Sequence, residues 1–315
     1  MSPASPAVRE GGGPVLLRAA TGAQLVATLP YFFGFVPSES VIVLGLNKRR
    51  VEAAARMDAA VILDERFDTE LLRQRLSFLA PGWCVVVVGW IADEAAAQRA
   101  TGVVAAAVGR ADQTIIVSGG RCRTDGGDWE VYPDAVAEAE VAGLTPLPDR
   151  AALAAQVAGA SGQGCGRCWT ALCQTVDGMS MDGRRQRAAA LMAEGLASPA
   201  ALPLRGRLEL AALVRDGAVR DVLWDGLTFE TAKRYVELWT AVVRSVPDAG
   251  APAALGLLGM AAWVAGNGAL QVCCLERGLA LAPEHSLLRL VETINVLGIN
   301  PKTWAELRRS LTDAS

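Results

Sequence analysis

The stretch CVVVVGWIADEAAAQRATGVVAAAVGRADQTIIVSG, residues 84–119, decides how the first half of this chain folds. CVVVVGWI (84–91) is apolar on both faces, the pattern of a central strand covered by helices on both sides. Asp93 then stands where a helix N-cap belongs, and the alanine-rich run behind it predicts a helix to about Val108. TIIVSG (114–119) follows as another buried strand. Strand, helix, strand in this order predict a parallel, right-handed crossover.

Upstream, DTELLRQRLSFLA places Leu72, Leu76 and Leu79 at helical spacing behind an Asp68 cap, and Pro81-Gly82 stops the run. VIVLGL (41–46) and VEAAARM (51–57) read as strands flanking Asn47-Lys48-Arg49-Arg50, a four-residue connection of hairpin length. Thr21 and Gln24 have capping-box spacing, so Leu25, Val26 and Leu29 start a helix that Pro30 is expected to interrupt and Gly34 to end. Downstream, RCRTDGGDWEVYP (121–133) predicts a small hairpin around Asp125-Gly126-Gly127. After Pro146 and Pro148 strand signals vanish. The fold class read from this is α/β plus all-α. A flexible tail (1–15) precedes a mixed, mostly parallel sheet domain with flanking helices (16–148), and a helical domain (149–315) follows.

Within the helical half, Leu258, Gly259, Gly266, Leu279 and Pro283 match preferred positions of a 34-residue tetratricopeptide repeat counted from Pro252. Leu255, Ala262 and Gln271 depart from that pattern, and no second copy keeps register from Ser286. The expectation is one tetratricopeptide-like hairpin over about 252–283. GASGQGCG (159–166) follows no strand and reads as a plain loop. Gly298, Asn300 and Pro301 introduce a last helix carrying Trp304, Leu307 and Leu311.

At 315 residues, 52% hydrophobic and 20% charged, the chain can bury two cores and is not mainly disordered. A net charge of −3 supplies no global field toward nucleic acid or anionic lipid, so neither partner is expected. The N-terminus lacks the basic and apolar regions of a secretory leader. The uncharged run Ala249–Leu275 is broken by Gly266-Asn267-Gly268, which argues for a helical hairpin rather than a membrane span. Seven cysteines suit reduced thiols and a cytoplasmic location better than a disulfide framework.

The order of motifs is recognisable. Leu29-Pro30-Tyr31-Phe32-Phe33-Gly34-Phe35, Pro37, Ser40-Val41-Ile42-Val43 and Arg56-Met57-Asp58 resemble the opening of an actinobacterial family, domain of unknown function 4192 (DUF4192). Arg220-Asp221-Val222-Leu223 and the run from Ala261 to Leu270, ending at Pro283, are similar to its helical half. The region from Cys165 to Asp182 has no counterpart in that resemblance. The family implies an intracellular protein with no assigned activity.

Tyr31, Phe32, Phe33 and Phe35 fall within five positions although only 5% of the chain is aromatic. No Lys or Arg lies between residues 29 and 46, so neither a nucleic-acid stacking platform nor a membrane foot is expected. A structural plug between helix and sheet is the reading adopted. Ligands of open α/β sheets bind beyond the carboxyl ends of parallel strands, and Asp58, Asp93 and Ser118 each follow a predicted strand. Together with Arg56 they are the candidate ligand-binding residues. No catalytic signature accompanies them. His285, the sole histidine, is expected at the surface, and Arg184, Arg185 and Arg187 on a solvated face. Cys165, Cys168 and Cys173 have the sharpest metal-like spacing but lack a fourth neighbour, so no metal and no cofactor is expected. The reading that follows is a protein-interaction or scaffolding module acting through its helical half on a protein partner. The alternative is a small-molecule-binding or hydrolytic α/β domain, taking a phosphorylated ligand or a metal at the carboxyl ends of its strands.

Overall fold

The computed structural model describes residues 7–10, 13–16, 19–48, 50–77, 79–134, 136–141, 143–159, 165–199 and 202–313. The chain divides into two compact units, Met1–Ala152 and Leu153–Ser315.

In the segment expected as a tail, β1 (Ala7–Glu10) and β2 (Gly13–Leu16) pair antiparallel. Helix α1 (Gly22–Phe33) begins where Thr21 accepts from the Gln24 amide, and the Gln24 side chain accepts from Ala20 N–H in return. Pro30 lies inside α1 instead of interrupting it. Burial of Leu25, Val26, Leu29 and Phe33 outweighs the one backbone bond that proline forfeits. Gly34, at φ 78°, closes the helix.

Strands β3 (Ser40–Asn47) and β4 (Arg50–Asp58) form a hairpin tighter than expected, because Asn47 pairs with Arg50 and Lys48 takes φ 47°. Helices α2 (Ala59–Ile62) and α3 (Thr69–Arg75) lead to β5 (Cys84–Trp90), and α4 (Glu94–Val108) leads to β6 (Gln113–Ser118). Strands β7 (Arg121–Thr124) and β8 (Glu130–Val131) complete a sheet of order β4-β3-β5-β6-β7-β8. Short helices α5 (Ala137–Val141) and α6 (Arg150–Ala155) follow.

The sheet is mixed but not mostly parallel. Only β5 and β6 are parallel neighbours; the other adjacent pairs are antiparallel. The crossover from β4 to β5 steps over β3, which lies antiparallel between two strands that run the same way. Val41, Val43, Val85 and Val87 join Ile62, Leu72, Ala97 and Val104 in a core beneath α2–α4. Gly89 lets α4 lie close, since a Cβ there would stand 2.4 Å from Thr101 Oγ1. The period-2 alternation of a strand turns Ser40, Ile42 and Leu44 to the opposite face, where α1 packs near Ile115 and Thr124.

The second unit contains α7 (Cys165–Asp177), α8 (Met181–Ala197), α9 (Leu204–Leu213), α10 (Gly217–Arg220), α11 (Ala232–Val243), α12 (Ala251–Val264), α13 (Gly268–Leu281), α14 (Ser286–Val296) and α15 (Trp304–Asp313). It holds no strand among the described residues. The α12–α13 hairpin turns at Gly266 (φ 75°), and the Asn267 side chain caps α13 by accepting from Leu270 N–H. Its setting is not that of a repeat array, in which each hairpin touches only its neighbours in line. Helix α12 is enclosed by α11, α13 and α14, and its residues from Ala253 to Val264 are all buried. The uncharged run is thus divided between two helices, and no described helix is long and apolar enough to cross a membrane. Trp263 and Trp304 mark a packed seam, with ring centroids 5.9 Å apart and indole N–H groups donating to the Ile299 and Leu227 carbonyls.

Candidate ligand-binding edge

Strands β4, β5 and β6 run in one direction, so their carboxyl ends form one edge of the sheet. Pairing register aligns Asp58, Ser40, Trp90 and Val117 across it. Arg56 lies one strand repeat inward, opposite Ile42. Residues aligned in this way project from the same face, and Arg56, Ser40, Asp58 and Trp90 therefore share the face away from α2–α4.

Arg56 and Asp58, at alternate positions of β4, meet through Nη2 and Oδ1 at 2.8 Å. The Arg56 guanidinium lies 5.6 Å from the centre of the Phe35 ring, a cation–π distance. Its side chain is 15% exposed and that of Asp58 57%. Arg56 Nε is buried without a hydrogen-bond partner. Ser40, wholly buried, has an Oγ in the same condition. Trp90 is half-buried and meets Tyr132 edge-on at 5.8 Å. Burial raises the Tyr132 phenol pKa, with smaller contributions from Cys122 and Asp134.

The other two expected residues are occupied locally. Asp93 accepts from Ala96 N–H at 2.6 Å and caps α4. Ser118 Oγ donates to the Ala92 carbonyl at 2.6 Å. Glu39, at φ 42°, reaches across with its carboxylate to accept from Ala92 N–H, while its carbonyl accepts from Ala59 N–H. Asp93, Ser118 and Glu39 therefore shape the edge, whereas Arg56, Asp58 and Ser40 present functional groups at it.

Within the aromatic stretch, Phe35 is 1% exposed and Phe33 9%, and the rings of Phe32, Phe33 and Phe35 contact in sequence. The Tyr31 hydroxyl accepts from Val136 N–H. Phe35 thus supports the Arg56 guanidinium as well as filling the core. Ser40, Trp90 and Tyr132 are residues that sequence reasoning missed. A serine heading the apolar run VIVLGL was the available signal, but only register shows what it faces.

A shallow groove of about 300 Å3 lies at the opposite end of β5, bordered by Arg73, Leu76, Ser77, Leu79, Pro81, Val108 and Arg110. Its cations are engaged: Arg73 with Glu70, and Arg110 with the Ala80 carbonyl.

Of the three clustered cysteines, two have described side chains. Cys165, whose side chain lies outside the described residues, opens α7 directly after the undescribed part of the expected loop, 160–164. Cys168 is exposed and Cys173 half-buried. Five helical positions separate those two by about 140° around the axis. No group of three potential ligands among the described residues could hold a metal. His285 is half-buried rather than at the surface, at the N-cap of α14 with Nδ1 buried and unpartnered. Burial lowers its pKa, and the nearby Arg220 lowers it further. Arg184 and Arg187 are paired with Asp216 and Glu209.

Comparison with known proteins matches residues 23–302 to a family described as "Domain of unknown function (DUF4192)". The chain belongs to the DUF4192 family. No curated protein and no solved structure matches it. The DUF4192 match spans both units and includes Phe35, Ser40, Arg56 and Asp58.

Proposed function

We propose that the first unit binds a small molecule at the carboxyl edge of its sheet, with Arg56 as the anchoring side chain and Asp58 orienting it. The observation that carries this reading is the pair of buried, unpartnered polar atoms, Ser40 Oγ and Arg56 Nε, on one face of the edge. An unsatisfied buried polar group costs about 1–3 kcal/mol, so native structures keep few without a use. The interaction or scaffolding reading rested on the repeat-like hairpin and on missing catalytic signatures, and the buried α12 adds no exposed face in its favour. Cytoplasmic action is supported by the unbridged thiols of Cys84, Cys122, Cys168, Cys173 and Cys274.

Thermal unfolding of the full chain against metals, nucleotides, sugar phosphates and carboxylates tests the reading. A ligand at 100 times its dissociation constant stabilises its unit by about 2.7 kcal/mol. The expected result is a rise in Tm that Arg56→Ala abolishes. A rise undiminished in that variant places the site elsewhere.

A further inference from the structure

Resting on that reading, we infer that the ligand presents an oxyanion, a phosphate ester or a carboxylate, to the face formed by Ser40 and Arg56. The inference comes from the sign of the groups left unengaged. Arg56 Nε–H, which can only donate, is buried without an acceptor, and the Ser40 hydroxyl beside it, able to donate, is buried without a partner. Trp90, on the neighbouring strand, turns its ring to the same face and meets Tyr132 edge-on.

One oxygen of each carboxylate at the edge is engaged. Glu39 Oε1 takes the Ala92 N–H, Asp93 Oδ1 takes the Ala96 N–H, and Asp58 Oδ1 takes Arg56 Nη2. An unused guanidinium N–H beside an unpartnered hydroxyl is complementary to a group that accepts several hydrogen bonds and donates none. A divalent cation is the wrong complement, since it needs several oxygen ligands and no three potential ligands among the described residues come together here. Pairing with Asp58 does not spend the arginine: it fixes the guanidinium plane through Nη2, and the Phe35 ring supports it from the side. Adjacent strands lie about 4.8 Å apart, which places Ser40 within reach of an oxygen that also meets the Arg56 fork.

Calorimetric titration of the full chain with inorganic phosphate, phenyl phosphate, benzoate and neutral benzyl alcohol tests the inference. Two variants accompany the wild type. Arg56→Lys keeps the charge and loses the Nε donor; Ser40→Ala keeps the shape and loses the hydroxyl. The expected result is binding of the anions, no binding of the alcohol, and affinity about tenfold lower in Arg56→Lys. Ser40→Ala lowers affinity about fivefold without lowering Tm. Comparing phenyl phosphate with benzoate separates the phosphoryl from the carboxyl source. Should benzyl alcohol bind as well as the anions, with both variants still weakening it, the ligand class is wrong and the site stands. Anion binding equal in all three proteins overturns the site itself, as does no binding of any probe at millimolar concentration.

Discussion

Ser40 carries a conflict between stability and use. Its hydroxyl is fully buried without a partner, so Ser40→Ala removes an unsatisfied group while leaving the packing of β3 intact. We expect that variant to gain about 1 kcal/mol, read as a raised midpoint in urea unfolding. His285 holds the second residue-scale prediction. Its pKa in the folded chain lies below the ordinary 6.5, because burial and then Arg220 disfavour the imidazolium. Above that value both folded and unfolded chains carry the neutral ring. As pH falls below it, the unfolded chain gains a proton that the folded chain resists, and stability declines until the folded-state pKa is passed. Urea midpoints measured from pH 7.5 downward should therefore fall more steeply in the wild type than in His285→Gln. Equal slopes would mean that His285 gains a compensating partner on protonation.

At the scale of elements, helix α4 shows how a short motif performs two tasks. Asp93 was read both as a cap and as a possible ligand, and its carboxylate is committed to the Ala96 amide. Asp93→Ala should cost about 1 kcal/mol of stability and leave ligand affinity unchanged. A large loss of affinity with little loss of stability would move Asp93 into the site. The same helix lies on Gly89, where a new Cβ would meet Thr101 Oγ1 at 2.4 Å and the Ala97 carbonyl at 3.2 Å. Gly89→Ala should destabilise by about 1–3 kcal/mol, because α4 must lift from β5 or Thr101 must leave its rotamer and its bond to Ala97.

For the whole molecule, the chain divides into two compact units, and the residues of the proposed edge all belong to the first. Trp304 belongs to the second, packed against Trp224 and Trp263 with its indole donating to the Leu227 carbonyl. Trp304→Ala should cost about 3–5 kcal/mol, seen as a lower unfolding transition, while phosphate affinity is retained. Affinity lost together with the tryptophan would place the helical unit in the binding function.

Patterns of local origin were legible in the sequence. Caps at Thr21, Asp68 and Asp93 depend on neighbours within a few residues, and the two-sided apolar character of VVVV records burial on both faces of β5. The candidate site was legible in half. Arg56 and Asp58 could be paired from their spacing, since alternate strand positions share a face. The order in which strands pair is a long-range property, and no local pattern encodes it. Apolar strands of the same length serve parallel and antiparallel neighbours alike, so β3 could not be placed between β4 and β5 by inspection. The hairpin expected over about 252–283 is present as α12 and α13, but which helices enclose α12 is again a long-range property. The sequence determined which residues form helices, strands and turns. Tertiary structure alone decided that Ser40 faces Asp58 and Trp90 beside a buried arginine edge, because register brings together groups that are far apart along the chain.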